Sequence, residues 1–87
     1  MARGSATFET NQKDVTTTSQ LLVPARPGRI SVVITPMSTV TVYLGKEGVT
    51  AQTGLFIQGG SPVTLDTAEA IYGLSTDATR ISYIEYV

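Results

Sequence analysis

Residues 40–74 read VTVYLGKEGVTAQTGLFIQGGSPVTLDTAEAIYGL, and this stretch decides the fold class. Val40, Val42 and Leu44 alternate with Thr39, Thr41 and Tyr43, the period of two expected of a strand with one solvated face. Gly45 to Gly48 and Gln58 to Pro62 interrupt the apolar runs with turn residues. Between and beyond them, Gly54 to Ile57, Val63 to Asp66 and Ala70 to Ser75 are short and rich in strand formers, the last broken at Gly73. Gly45 is expected to need a backbone that only glycine adopts. Asp66 to Glu69 is the single place where one helical turn is allowed.

The pattern extends outward on both sides. Arg29 to Thr35 reads as the clearest strand, with Ile30, Val32 and Ile34 on one side, and Pro36-Met37-Ser38 makes the turn after it. Upstream, Ser5 to Thr10 is a first strand, Asn11 to Asp14 a polar turn, and Val15 to Val23 a second strand stopped by Pro24, Pro27 and Gly28. Downstream, Thr76 to Thr79 is a turn, and Arg80 to Val87 a strand with Ile81 and Tyr83 opposite Ile84 and Tyr86. Val, Ile and Thr supply 29 of the 87 residues, so branched side chains that favour strands make up a third of the chain. Seven to eight short strands at this spacing predict an all-β chain, an antiparallel β-sandwich or jelly-roll-like barrel. Residues 20–87 form the sandwich, and residues 1–19 an N-terminal segment that is a strand or a docking arm.

Composition narrows the function. A domain of this length buries only about 60–65% of its unfolded surface, so partners are expected to add to its stability. Charged residues are 15% of the chain, against about 25% in an average domain, which suits a surface covered by other subunits. Without cysteine there is neither a disulfide framework nor a thiolate metal site, and the start MARGSATFET lacks an apolar run of signal-peptide length. No stretch has the length of a membrane span, so no membrane partner is expected. Histidine, the commonest general acid–base group, is absent. Seven serines and fourteen threonines have no base to activate them, and Gly59-Gly60 has no lysine after it to make a phosphate loop. The chain is expected not to be an enzyme and to need no cofactor. Arg3, Lys13, Arg26 and Arg29 give the first thirty residues a charge of +2 against −3 for the remainder. That density is too low for a phosphate-tracking face, so nucleic acid is not an expected partner. Tyr43, Tyr72, Tyr83 and Tyr86 suit either a sugar-binding platform or cross-strand packing.

The strings LLVPARPGRISVVI (21–34), VTVYLG (40–45), TGLFIQGGSPVTL (53–65) and AIYGLS (70–75), with a final aromatic strand, carry a resemblance. Over residues 20–87 the chain resembles small β-proteins of tailed-bacteriophage virions that decorate the head or form the capsid-proximal part of head fibres. The resemblance implies a structural protein made in the host bacterial cytoplasm and placed on the capsid surface. Its partners would be the major capsid protein and further copies of itself, as a dimer or trimer. Arg3, Phe8 and Lys13 of the N-terminal segment and Arg26 and Arg29 of the Pro24–Arg29 loop are the expected capsid contacts. Two other readings stay open: a receptor- or glycan-binding module of a fibre or tail, and a head-completion or tail subunit.

Overall fold

Among the described residues every strand pairs antiparallel, so each apolar face is covered by residues distant in sequence. The computed structural model describes residues 7–87. In chain order the strands are β1 (Phe8–Val15), β2 (Gln20–Val23), β3 (Ser31–Pro36), β4 (Val42–Gly45), β5 (Leu55–Ile57), β6 (Val63–Leu65), β7 (Ile71–Ser75) and β8 (Thr79–Tyr86). They form two four-stranded sheets, β1-β8-β3-β6 (sheet A) and β2-β7-β4-β5 (sheet B). The pairings β1·β8, β2·β7, β3·β6 and β4·β5 are rungs of one long nested hairpin. Rolling it brings β3 against β8 and β4 against β7, a jelly-roll-like winding of an all-β antiparallel sandwich.

Alternation explains what lies between the sheets. Val32 and Ile34 of β3, Val42 and Leu44 of β4, Ile57 of β5, Ile71 of β7 and Ile81 and Tyr83 of β8 point inward, together with Val15. β2 contributes two consecutive core residues, Leu22 and Val23, because its register slips against β7 between Leu21 and Val23. Such a bulge re-aims one side chain that regular pleating would expose.

The structure corrects several expectations. Asn11 to Asp14 is not a turn; it lies in β1, paired residue for residue with Tyr83 to Arg80. Polar side chains fit there because β1 is an edge strand, with only Val15 of its eight residues buried. The run from Val15 to Val23 is not one strand, since Thr16 to Ser19 crosses between the sheets and Thr16 O accepts the Ser75 amide at 2.9 Å. Ile30 stands outside the sandwich at 63% exposure, and Pro36 is a buried last residue of β3 instead of a turn residue. No helix occurs among the described residues, and at 66–69 a bend is held by the Glu69 amide on Thr67 Oγ1 at 3.1 Å.

Gly45 also differs from expectation. It sits in β4 without a positive φ, and the left-handed position of that turn is Gly48, at φ +85°. What selects glycine at 45 is space: a Cβ there would lie 2.7 Å from Val49 Cγ2. Gly73 does not break β7 either, and its missing side chain leaves room for Leu22 and Leu44 to pack onto the strand.

Candidate interaction surfaces

The Pro24–Arg29 loop owes its shape to Arg26-Pro27-Gly28-Arg29. Proline presets φ at the second position of a type II turn and glycine supplies the positive φ at the third. Gly28 has φ +88°, and the Arg29 amide donates to Arg26 O at 3.0 Å. The turn is docked by the Arg26 amide on Ala68 O at 2.9 Å, which joins it to the β6–β7 connection.

Docked in this way, the two arginines diverge. Arg29 turns inward, and its side chain is fully enclosed (0% exposed). Its guanidinium donates to Thr67 O (2.7 Å), Pro24 O (3.1 Å), Glu69 O (2.6 Å) and Glu85 Oε2 (2.8 Å). Arg26 stays half-exposed and grips both oxygens of Glu9 at 2.9 Å, with a longer contact of 3.3 Å to Glu85 Oε1. Two carboxylates and two guanidiniums thus form a balanced chain, Glu9–Arg26–Glu85–Arg29, across one end of the sandwich. The hydrogen bonds and charge of Arg26 hold the Glu9 carboxyl below the usual carboxylate range. The geometry fits a clamp between elements, since four of the five guanidinium N–H groups of Arg29 are engaged by the protein itself.

Tyr83 faces this network from inside. Burial pushes its phenol above its ordinary value, and the Glu85 charge adds to the rise. The folded state therefore favours the neutral phenol, while the unfolded chain ionises from about pH 10 upward. Stability is complete below that pH and falls as pH rises toward the folded-state value. Tyr83→Phe should remove this loss. Thermal melts between about pH 8 and about pH 11 should show a smaller fall in Tm for the variant than for the parent, and equal falls would refute the assignment.

The outer faces of the two sheets differ in character. On sheet A, alternation and pairing set Phe8 beside Tyr86, Thr10 beside Ile84 and Val33, Gln12 beside Ser82 and Thr35, and Asp14 beside Arg80. Hydroxyls and amides fill the middle, the Asp14–Arg80 pair closes one end at 2.8 Å, and Phe8 (62% exposed) and Tyr86 pack at the other with ring centroids 6.5 Å apart. On sheet B the outward residues are Leu21 beside Tyr72, and Tyr43 between Leu74 and Phe56. Tyr43 and Phe56 meet edge-on at 5.9 Å between centroids, and Phe56 is 60% exposed. This face presents five large apolar or aromatic side chains with no charged residue among them.

The expected contact residues are scattered over these features. Arg3 lies outside the described residues. Phe8 and Lys13 are exposed on β1 but on opposite faces of the strand. Arg26 is occupied by Glu9 and Glu85, and Arg29 is withdrawn from the surface altogether. Its burial has a cause that local sequence does not show: Glu85 occupies an inward position of β8 after Ile81 and Tyr83 and needs a cation beside it. An acidic residue in phase with an apolar alternation was the available signal. The four tyrosines form no single platform: Tyr43 and Tyr72 lie on sheet B, Tyr86 on sheet A, and Tyr83 inside. Among the described residues no cluster of three or more Asp or Glu side chains is placed to hold a metal ion, and no helix is long and apolar enough to cross a membrane. No family model matches the chain, and no curated protein and no solved structure matches it.

Proposed function

We propose that this chain is a structural protein of a tailed-phage virion, a capsid-decorating module that bridges major capsid protein subunits. The observation that carries the reading is the uncovered outer face of sheet B, where Leu21, Tyr43, Phe56, Tyr72 and Leu74 form an uncharged apolar surface across four strands. A surface of that kind on a small domain marks a contact site. The chain's likeness to phage decoration and head-fibre proteins over residues 20–87 supplies the class of partner. Each copy would bind weakly, and many copies bridging neighbouring subunits would favour the assembled shell, since a ligand that binds one state shifts its equilibrium. On this reading the contact moves from the basic loop to the aromatic face, because Arg26 and Arg29 are engaged within the fold.

The second reading is a receptor- or glycan-binding module, favoured by the exposed ring of Phe56 packed edge-on against Tyr43. One variant separates the two. Phe56 is 60% exposed, so Phe56→Asp should leave the fold intact and cost no more than about 1–2 kcal/mol, the worth of its edge-on contact with Tyr43 and of a strand position. If the chain decorates capsids, occupancy of purified particles should fall at least about tenfold, as expected when a charge is buried in an apolar contact. Unchanged occupancy with loss of binding to host cells or glycans would favour the receptor reading.

A further inference from the structure

We infer that the free edge of β1 pairs with β1 of a second copy about a two-fold axis at Asn11, joining two A sheets into one. This deepens the oligomer expected of the proposed function but stands on the strand's own hydrogen-bonding pattern. Thr7 and Val87 exchange both backbone hydrogen bonds, N to O at 3.0 and 2.9 Å, in the register that continues along β1·β8. Odd-numbered residues of β1 therefore bond to β8, and Phe8, Thr10, Gln12 and Asp14 aim their N–H and C=O groups away from it. Two of these groups are capped locally, the Gln12 amide by Asn11 Oδ1 at 2.9 Å and the Asp14 carbonyl by Gln20 Nε2 at 2.7 Å. Among the described residues the others have no partner, and the strand is exposed from Phe8 to Asp14. A row of this kind is a template for strand addition.

Charge selects the occupant and the register. Among the described residues Lys13 is the cation without a carboxylate partner, whereas Arg26, Arg29, Lys46 and Arg80 each have one. Antiparallel self-pairing centred on Asn11 sets Lys13 opposite Glu9 of the second copy, and Glu9 opposite its Lys13. Centres at Glu9 or Lys13 would set like charges face to face, and centres at Thr10 or Gln12 pair neither residue with a charge. In the Asn11 register Thr10 faces Gln12 of the second copy and Phe8 faces its Asp14, so the outward-aimed groups meet each other; the Gln12 amide trades its Asn11 Oδ1 cap for the Thr10 carbonyl, and the Asp14 carbonyl accepts the Phe8 amide on its second lone pair. Isologous pairing of this kind closes and does not propagate into fibres. Charges on an edge strand ordinarily repel additions, and here the Asn11 register is the one among these that sets opposite charges face to face.

The test uses the isolated protein in sedimentation equilibrium, with no particles present, so its outcome is independent of capsid docking. The parent is expected to show a concentration-dependent dimer. Thr10→Pro removes an N–H that does not bond to β8, so it should keep the native circular dichroism and weaken dimerisation at least about tenfold. Asn11→Cys places the only cysteine at the axis in a non-hydrogen-bonded pair, with Cα atoms about 4.5 Å apart. Oxidation should then give a covalent dimer, while Lys13→Cys should stay uncross-linked. A protein that remains monomeric at the highest attainable concentration overturns the inference. So does a dimer that survives Thr10→Pro, and so does failure of Asn11→Cys to cross-link.

Discussion

Replacing Arg29 by alanine should cost about 3–5 kcal/mol, the largest effect of any polar substitution in this chain. The side chain is fully enclosed, and its removal strands the Glu85 carboxylate and the carbonyls of Thr67, Glu69 and Pro24 without their donor. A domain of this length has a total stability on the order of 4–13 kcal/mol, so the variant should lose a large part of its margin. Chemical denaturation should show a midpoint far below the parent, and a Tm lower by more than about 10 °C. Arg29→Lys should rescue little, because one ammonium cannot reach four acceptors held in a planar fork. Removing both charges, with Arg29→Met and Glu85→Leu, should cost less than the sum of the single changes. A drop below about 1 kcal/mol for Arg29→Ala would show that the enclosure of this side chain contributes nothing.

The second large effect is expected at Gly73. A Cβ there would meet Leu22 Cδ1 at 2.6 Å, Tyr43 O at 2.7 Å and Leu44 Cδ2 at 3.0 Å. The leucines can adjust, but Tyr43 O belongs to β4, which is paired to β7 on one side and β5 on the other. Gly73→Val adds three carbons to that space and should cost about 3 kcal/mol, at the upper end for overpacking. Melting should fall by about 10 °C or more. If Gly73→Val melts within a few degrees of the parent, the close packing of Leu22 and Leu44 onto β7 is not a feature of the protein.

The strands that the sequence revealed are those with one face buried. β3, β4 and β8 each bury every second residue, and hydrophobic alternation reports that burial directly. The Arg26–Arg29 turn was equally legible, because proline and glycine act through their own backbones. The Asn11 to Asp14 part of β1 was hidden for a physical reason. It is exposed on both faces, carries no apolar period, and is held by main-chain pairing to β8, which side-chain pattern does not encode. Gly45 and Gly73 show a related limit, since turn formers inside strands reflect neighbours such as Val49 and Leu22 that only the folded chain brings near.

The site was less legible than the fold. Arg29 read as a surface contact of its loop because its partner Glu85 is 56 residues away and its carbonyl acceptors carry no side-chain signature. The aromatic face of sheet B was hidden in the outward positions of four strands, and only their lateral order assembles it. Leu21, Tyr43, Phe56, Tyr72 and Leu74 are ordinary strand residues one by one, and become a surface when β2, β7, β4 and β5 lie side by side.

The central claim, that this sandwich serves as a many-copy structural ornament of a capsid, is tested most directly by its copy number per purified virion. Quantitative mass spectrometry against the major capsid protein should give a ratio set by the lattice, with tens to hundreds of copies on each particle. A single ring's worth of copies would contradict decoration and favour a head-completion or tail subunit. Absence from purified particles would contradict a virion role altogether.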